Sequence, residues 1–457
     1  MFREFLAQRP TRIQTTADQT GDYTGRAARF RHHYLFTVYN FVMRIRVALL
    51  VGWLLLVSVS AQEKPATEPK SVAVPMTIDH NRVVIHAEAP LADGSMERIH
   101  AWVDNGNAQL EMSRHLATML GLAVTCGDKE CSAPPPPEFL VGGMKISFAG
   151  IKEVKIPLKP VSGAAVVFPG MNAEINLPST VLRQYDVLVD FPGKTFRIGT
   201  PGSIHFQGSS SKVEVNAENG LIQIPSQIEN KKYNLALDVG ASISMLSGEV
   251  FDKLATSHSD WPRMTGAVAS ANMWGFDSET KWKVMRVERV QYGPLFLTNV
   301  PFVEFPKEWM DFFSKRAGIA TAGLMGADAL QNYRIGFDYA HSTVYFDIGR
   351  LFTFPEFDVI GLVLRPEDDG GYTVLGAAEF EGNPSVDGVQ PGDHLMAVDG
   401  IPVRGSTLGQ VWAMLGGTPG QERKLTLERA GKKFVVAAKV QHFLAEKEQS
   451  GDSKKKH

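Results

Sequence analysis

Two aspartates of this chain stand in matching sequence contexts. Asp104 and Asp238 each follow an apolar run, and each is followed, after one intervening residue, by a glycine, Gly106 or Gly240. This pattern predicts a strand that enters a tight turn with a carboxylate at its tip, and glycine permits such a turn. A carboxyl group acts as a general base when ionised and as a general acid when protonated. Asp104 and Asp238 are therefore candidate catalytic residues, and the two glycines are the candidate supports of their turns.

The elements that would position this pair repeat in the same register. Ser113 and Ser247 stand at the same distance past the two aspartates, each before an apolar helical pattern, and both predict helix N-caps. Near the end of each copy, residues 181–191 align without a gap on residues 329–339. A repeat of this length indicates two homologous lobes.

These residues resemble the two-lobed, pepsin-like or retropepsin-like aspartic proteases over residues 72–352. In that family each lobe contributes one Asp from an Asp-Thr/Ser-Gly turn, and a hydrophobic-hydrophobic-Gly segment precedes a short helix near the end of the lobe. Residues 323–330 are similar to that second element in lobe two. Residues 175–182 are its lobe-one counterpart, with Pro178 at the position of the Gly. The resemblance implies hydrolysis of a polypeptide substrate by the Asp pair, without a cofactor.

The sequence departs from the family pattern beside each Asp. The family's hydroxyl residue after the Asp bonds across the lobe interface, whereas this chain has Asn105 and Val239 there, and a valine side chain cannot make that bond. Ser242 stands where the family often has a hydroxyl that braces its Asp, and we expect it to support the lobe-two turn. Its lobe-one counterpart is Ala108.

Two further segments are candidates for covering the cleft of such a protease. Residues 139–146 have Gly-Gly between apolar runs, which predicts a hairpin and, by the resemblance, the flap of lobe one. Residues 272–276 occupy the comparable place in lobe two, where their aromatic side chains either line a substrate pocket or pack in the core.

The longest apolar run, residues 47–59, follows a short basic stretch and precedes small residues. This arrangement predicts a secretory signal peptide with cleavage after Ala61, so residues 1–61 form an N-terminal extension and a signal peptide. Translation starts either at Met43 or at Met1, and in the second case the segment can serve as an uncleaved signal anchor. Both interpretations predict an exported protein, periplasmic or secreted, with inner-membrane attachment only if the signal is uncleaved.

Cysteine usage agrees with export. Cys126 and Cys131 can close a small disulfide loop, and export supplies the oxidising compartment that the bond needs. A small disulfide loop at this distance past the first Asp is also a feature of pepsin-like lobes. Two free surface thiols are the alternative.

The composition excludes several function classes. Of the 457 residues 44% are hydrophobic and 21% charged, with a formal net charge of −2. Lys and Arg are dispersed among acidic residues, so a nucleic-acid partner is not expected. We find no His/Cys spacing typical of zinc and no phosphate-binding glycine loop, and therefore expect neither a metal nor a cofactor.

The C-terminal part resembles a bacterial PDZ domain in residues 359–364, 388–400, 415–420 and 425–432. The resemblance implies that Ile360, Gly361 and Leu362 form the carboxylate-binding loop, which holds the C-terminus of a peptide that adds a strand to the sheet edge. A helix near Leu408–Leu415 would form the other wall of the groove. The implied partners are peptide C-termini.

The sequence thus predicts a mainly β chain, a two-lobed aspartic-protease-like fold followed by a PDZ domain. The predicted boundaries are 1–61 for the N-terminal segment, 72–210 for lobe one, 211–352 for lobe two, 353–442 for the PDZ domain and 443–457 for a disordered tail. The leading function is an exported aspartic endopeptidase whose PDZ domain recruits polypeptide substrates. One alternative is an inactive protease fold that acts with its PDZ domain as a peptide-binding adaptor. Another is a lobe-two dimer whose active site lacks Asp104.

Overall fold

The computed structural model describes residues 69–128, 130–157, 168–349, 357–380 and 382–445. The chain is mainly β over these residues, as the sequence predicts. The predicted signal segment lies outside the described residues. Within them, no helix has the length and apolar character needed to cross a membrane.

The first lobe is built from short strands and two short helices, α1 (Arg114–Met119) and α2 (Ser179–Leu182). Its strands are β1 (Ser71–Asp79), β2 (Arg82–Pro90), β3 (Met96–Asp104), β4 (Thr125–Cys126), β5 (Cys131–Ala133), β6 (Phe139–Val141), β7 (Met144–Ile146), β8 (Val154–Ile156), β9 (Ile175–Pro178), β10 (Asp186–Asp190) and β11 (Thr195–Gly199).

The second lobe contains the longer helices α3 (Gly248–Ser257) and α4 (Lys307–Ala317). Its strands are β12 (Ser209–Lys212), β13 (Glu214–Val215), β14 (Ile222–Ile228), β15 (Lys231–Leu237), β16 (Ser244–Ser247), β17 (Arg263–Thr265), β18 (Lys283–Tyr292), β19 (Leu295–Phe305), β20 (Gly323–Met325), β21 (Tyr333–Asp338) and β22 (Thr343–Ile348). Short 3-10 turns lie at Ala269–Ala271, Asp277–Lys281, Ala327–Ala329 and Tyr339–His341.

The C-terminal unit follows with one helix in its described residues, α5 (Leu408–Leu415), which confirms the predicted helix. Its strands are β23 (Phe357–Val359), β24 (Leu362–Pro366), β25 (Tyr372–Ala377), β26 (Glu379–Phe380), β27 (Asn383–Pro384), β28 (His394–Val398), β29 (Ile401–Pro402), β30 (Glu422–Arg429), β31 (Lys432–Lys439) and β32 (Gln441–Phe443).

Each lobe places its Asp in the same way. In lobe one, β3 pairs in parallel with β9 and brings Asp104 opposite Pro178. In lobe two, β15 pairs in parallel with β20, the strand of the predicted second element, and Asp238 follows directly. The apolar residues that lead into each Asp, residues 101–103 and 235–237, are buried, as expected for strands covered on both faces. The two aspartates therefore leave buried strands at equivalent positions.

The duplicated segments near the lobe ends lie against each other. β10 pairs antiparallel with β21, with Asp186 opposite Asp338 and Leu188 opposite Gly336. This ladder joins the lobes in one continuous sheet with the order β12-β22-β21-β10-β11-β1-β2-β3-β9.

The helix starts confirm the repeated N-caps. The Ser113 hydroxyl accepts a hydrogen bond from the Leu116 N–H at 3.0 Å, and the Ser247 hydroxyl accepts one from the Val250 N–H at 3.4 Å. Both bonds satisfy a donor that the first helical turn leaves free. The register read from the sequence is therefore kept in both lobes.

The hairpin predicted over residues 139–146 is present as β6 and β7. Its turn packs on β1, since a Cβ on Gly142 would stand 2.9 Å from a Val74 methyl carbon. A flap would have to lie over the two Asp turns. The predicted hairpin is therefore confirmed. Its contact with β1 does not place it over the two Asp turns, where a flap would lie.

The C-terminal unit shares a core with lobe two. Ile360 and Leu362 belong to the same buried cluster as Ala241 and Met245, and β26 extends the lobe-two sheet by pairing Glu379 with Thr265. Burial of this continuous apolar surface stabilises the contact.

Two predicted boundaries shift slightly. Strand β12 runs across the boundary at residues 210/211 and pairs with β22 of lobe two. Strand β32 pairs with β23, and Leu444 is buried, so ordered packing extends two residues into the predicted tail. The rest of that tail, from residue 446, lies outside the described residues.

Candidate active site

The two predicted carboxylates lie together where the turns of the two lobes meet. A Cβ on Gly106 would stand 2.1 Å from the carboxyl carbon of Asp238, and one on Gly240 would stand 2.6 Å from Asp104 Oδ1. The same point on Gly240 lies 3.1 Å from Asp238 Oδ1. Each glycine therefore faces the carboxylate of the other lobe, and the carboxylate oxygens are near neighbours.

These contacts give the physical reason for glycine at positions 106 and 240. Neither residue has a positive φ, so freedom to turn is not what the positions require. Any side chain there would occupy the space of the opposing carboxylate, because distances of 2.1 and 2.6 Å are far inside van der Waals contact. Close approach to the opposing carboxylate, and not the freedom to turn that the sequence pattern predicts, is therefore the reason for glycine at both positions.

Backbone donors surround Asp238. The N–H groups of Gly240 and Ala241 donate to its Oδ1 at 2.8 and 3.1 Å. Burial raises the pKa of Asp238 to about 6, and the backbone donors together with the Arg82 cation oppose the rise.

Asp104 has fewer donors to stabilise its charge. Asn176 Nδ2 donates to its Oδ2 at 3.1 Å. Burial first, and then the nearby Asp238 carboxylate, hold the pKa of Asp104 well above its usual range. Asp238 has more hydrogen-bond donors to its charged form than Asp104, so the negative charge of a singly protonated pair is better stabilised on Asp238.

Asn105 fastens the lobe-two turn from lobe one. Its Oδ1 accepts a hydrogen bond from the Val239 N–H at 2.8 Å, and its Nδ2 donates to the Leu237 carbonyl at 2.7 Å. The side chain is 1% exposed, so water cannot replace either bond. The single amide of Asn105 thus reaches across the lobe interface and bonds to the backbone of the residues directly before and after Asp238.

Ser242 does not make the predicted bracing bond to Asp238. Its hydroxyl donates to the Ser270 carbonyl at 2.8 Å, and its own carbonyl accepts from Asn81 Nδ2 at 2.9 Å. The backbone N–H groups already fill the positions around Asp238 Oδ1, so the hydroxyl turns to the neighbouring loop. A supporting role of Ser242 for the turn stays a prediction.

Two arginines near the pair were missed by sequence reasoning. Arg82 begins β2, is 6% exposed and donates to the Met273 carbonyl at 2.6 Å. Arg316, from α4, donates to Asn107 Oδ1 at 3.3 Å and faces Glu111 and Asp104. Their sequence neighbourhoods carry no motif. For Arg82 the available signal is a charged residue at the start of an apolar strand, and a polar residue within an apolar strand likewise marks Asn176 between Ile175 and Leu177. Arg316 lies in a helix and carries no such signal.

The remaining predicted site residues lie elsewhere. Cys126 and Cys131 are cross-strand partners in β4 and β5 and form a disulfide with an S–S distance of 2.14 Å. Ile360 and Leu362 are fully buried in the C-terminal unit, where the Ile360 N–H donates to the Leu415 carbonyl and the Leu362 N–H to the Ile360 carbonyl. Two of the expected carboxylate-binding donors therefore have intramolecular acceptors. Gly361 lies against the Ser385 hydroxyl and Phe443.

The donor set of the site suits acid-base chemistry. Among the described residues, no group of His, Cys, Asp and Glu side chains has the arrangement of a metal site. What the site offers is two buried carboxyl groups in close proximity, a pair that can hold one proton between them and supply a base and an acid.

No family model matches the sequence, and no curated protein sequence matches it. Among solved structures the chain is similar to an aspartic proteinase from Irpex lacteus, with 9% sequence identity and a TM-score of 0.36. The similarity covers 61% of this chain and 97% of the other.

Proposed function

We propose that the chain is an aspartic endopeptidase that hydrolyses peptide bonds with Asp104 and Asp238. The observation that carries the proposal is the reciprocal contact of the turns, in which Gly106 faces the Asp238 carboxylate and Gly240 faces that of Asp104. A repeated strand and turn in each lobe supply one carboxylate each, and Asn105 ties the turns together. An arrangement that serves only to stabilise the fold does not require two carboxylates to share buried space, since this raises the pKa of both.

The two carboxylates differ in the hydrogen bonds that stabilise their charge, and this difference assigns the base and the acid of the reaction. The ionised Asp238, held by backbone N–H groups, removes a proton from the attacking water. Asp104, which keeps its proton, donates it to the carbonyl oxygen of the scissile bond. Water attack on the carbonyl carbon gives a tetrahedral diol. Asp238 then passes the proton it took from water to the amine nitrogen while Asp104 takes a proton back from a diol hydroxyl, and the C–N bond breaks to give a carboxylic acid and an amine. The pair ends with one proton, as it began.

The test is cleavage by single variants of the full chain. Asp238→Asn and Asp104→Asn keep the side-chain size and remove the acid-base group, so each should reduce cleavage of an unfolded protein by at least about a hundredfold. Their melting temperatures should not fall. Cleavage that survives Asp104→Asn but not Asp238→Asn would favour the lobe-two dimer.

We further propose that the C-terminal unit is a PDZ module that recruits polypeptides by their C-termini. Its support is the sequence resemblance together with the arrangement of α5 beside the loop before β24, where Val359 forms a bridge with Gly416. A peptide that ends in an apolar residue should bind the full chain more tightly than its C-terminally amidated form. Equal binding of the two would contradict the module's assignment.

The adaptor function is the second candidate. It is favoured by the burial of the pair, because carboxylates that are 3% exposed (Asp104) and 7% exposed (Asp238) offer a substrate little surface to contact. If the wild type binds peptides at the C-terminal unit but cleaves none of them, the adaptor function replaces the protease.

We also propose that the protein is exported to the periplasm or secreted. The disulfide between Cys126 and Cys131 supports this location, because such bonds persist in oxidising compartments. Fractionation of cells that express the full chain tests it.

A further inference from the structure

The outer edge of β24 is engaged by lobe two. The Leu364 N–H donates to Asn272 Oδ1 at 3.3 Å, and Asn272 Nδ2 donates to the Leu364 carbonyl at 2.9 Å. An edge strand presents this donor and acceptor to an added strand. The side chain of Asn272, which is fully buried, satisfies both groups in place of a peptide.

A second group holds the Asn272 segment in this position. One oxygen of the buried Glu279 accepts hydrogen bonds from the N–H groups of Trp274 and Gly275 at 3.0 and 2.9 Å. Its other oxygen accepts from Asn272 Nδ2. The segment also packs closely on β24, since a Cβ on Gly275 would stand 2.7 Å from the Arg365 Cα.

The backbone of the same segment contacts lobe one. The Asn272 carbonyl lies 2.9 Å from His80 Nε2, and the Met273 carbonyl accepts from Arg82 Nη2 at 2.6 Å. Asn272 thus bonds to the edge of β24 through its side chain. The carbonyl groups of Asn272 and Met273 contact lobe one at and just before the start of β2.

Arg82 in turn lies beside the carboxylates. Its guanidinium carbon is 5.8 Å from the ring centre of Trp102. Val84 is paired with Trp102 in the β2–β3 ladder, and the same register continued by two residues brings Arg82 next to Asp104.

The charged surroundings of Arg82 are mostly acidic. The acidic groups that face it are Asp79, Asp104, Asp238 and Glu279, and His80 lies in the adjoining turn. The other nearby cation, Arg316, approaches Asp104 from α4. A buried cation at this point favours the ionised form of the pair.

We propose that Arg82 is a positioning residue for the two carboxylates, and that Asn272 and Met273 link its placement to the outer edge of β24. The inference rests on the proposed function of the pair. An extended peptide that pairs with β24 must displace the Asn272 side chain from Leu364. The displacement breaks the hydrogen bonds that hold Asn272 on β24. The neighbouring Met273 carbonyl, and the Arg82 side chain bonded to it, then lose their fixed position. Peptide binding in the C-terminal unit therefore alters proton affinity at the cleft.

The first experiment measures the pH dependence of the full chain for Arg82→Met and Arg82→Lys. The acid limb of the cleavage profile should move to higher pH by about one unit in Arg82→Met, because loss of the cation favours the protonated pair. Arg82→Lys keeps a cation and should return the limb most of the way to its wild-type pH. The control is Arg286→Met, another buried arginine, in β18, which should leave the limb in place. An unchanged limb in Arg82→Met overturns the positioning role, even if that variant is less stable.

A second readout does not depend on catalysis. The pH dependence of the unfolding free energy reports proton uptake by the pair in an inactive protein as well. If no variant cleaves and Arg82→Met still shifts this dependence relative to Arg286→Met, the proposed function fails and the inference stands. If cleavage occurs and neither readout shifts, the inference fails and the function stands.

The link to β24 is tested with Asn272→Leu, which keeps the side-chain size and removes both bonds to Leu364. The probe is a fluorescein-labelled hexapeptide with a free C-terminal Val. Its affinity for the full chain should rise at least tenfold because the internal competitor is gone, and the acid limb should shift in the same direction as in Arg82→Met. Asn272→Ala is the second variant, should Asn272→Leu not fold.

The matched control for the link is Asn216→Leu. Asn216 joins two segments of lobe two through both amide atoms, with Nδ2 on the Ala317 carbonyl and Oδ1 on the Glu218 N–H, and no described hydrogen bond of its side chain reaches the C-terminal unit. It should lose stability without a gain in peptide affinity. Equal peptide affinity in Asn272→Leu and the wild type, with an unchanged acid limb, would overturn the link.

Discussion

The side chain of Asn105 accepts a hydrogen bond from the backbone N–H of Val239, across the interface between the two lobes. The same amide donates to the Leu237 carbonyl. By the motif resemblance to the aspartic proteases, Asn105 and Val239 are both departures, since a hydroxyl is expected at each position. An amide carries a donor and an acceptor together, so a single asparagine makes both bonds and Val239 contributes only its backbone.

Loss of this amide should weaken the junction. Asn105→Leu leaves the Val239 N–H and the Leu237 carbonyl buried without partners, which costs about 2–5 kcal/mol of unfolding free energy. Denaturant unfolding measures the loss, and cleavage should fall as the turn around Asp238 loosens. Val239→Thr keeps the backbone N–H that bonds to Asn105 but buries a hydroxyl in an apolar cluster, so it should cost about 1–3 kcal/mol without loosening the turn, and cleavage should persist. A small effect of Asn105→Leu would show that the junction is held by other contacts.

Gly106→Ala should displace the opposite carboxylate. The added methyl would stand 2.1 Å from the carboxyl carbon of Asp238, so either the turn or the Asp must move. We expect loss of cleavage by at least about a hundredfold, because small displacements of reacting groups have large effects on rate. Gly127→Ala is the control, since its nearest neighbour would be 3.8 Å away. Full activity in Gly106→Ala would contradict the geometry of the pair.

The optimum of cleavage should lie at near-neutral pH. The sequence resemblance predicts activity at acidic to mildly acidic pH. Burial raises the pKa of Asp238 to about 6 and also raises the pKa of Asp104, so the pair passes through its one-proton state at a higher pH than exposed carboxyl groups would. A pH profile with saturating peptide substrate tests this, and a maximum below pH 4 would contradict it.

Stability should fall as pH rises through the same window. The folded chain keeps protons on the pair that the unfolded chain loses near pH 4, so the unfolding free energy decreases by about 1.4 kcal/mol per pH unit for each extra bound proton. Asp238→Asn should flatten this decrease and abolish cleavage. Asp328→Asn, at a buried carboxyl in lobe two whose pKa burial raises to about 7, should also flatten it while cleavage continues. An equal slope in the wild type and Asp238→Asn would rule out the raised pKa.

The disulfide should be complete in exported protein. Alkylation of the purified chain without reductant should find no free thiol, because Cys126 and Cys131 are bonded. The double replacement Cys126→Ser and Cys131→Ser should lower the unfolding free energy by about 2 kcal/mol, the size expected for a very short loop. Cleavage should persist, since β4 and β5 make no described bond with the carboxylate of Asp104 or Asp238. Two alkylated cysteines would count against the export proposal.

Sequence alone predicts the features that repeat or are local. The Asp turns, the serine N-caps, the mainly β character and helix α5 each depend on residues a few positions apart, where apolar spacing and capping chemistry are informative. Contacts between lobes carry no such spacing. The bond from Asn105 to Leu237 spans 132 residues, and that from Arg82 to Met273 spans 191. Their partners are backbone groups, which every residue has, so the sequence cannot identify them.

The antiparallel ladder between β10 and β21 is symmetric within the repeat. Leu188 faces Gly336, the residue aligned with it in the second copy, while Asp186 faces Asp338 and Asp190 faces Arg334. Exchange of the two copies leaves this set of pairs unchanged, which is the property of an isologous two-fold interface. Two separate copies of a single lobe could therefore join through the same ladder. A homodimeric ancestor of one-lobe subunits would already have this interface. Fusion of two gene copies would preserve the ladder and allow the two halves to differ, as they do at the equivalent positions Asn105 and Val239.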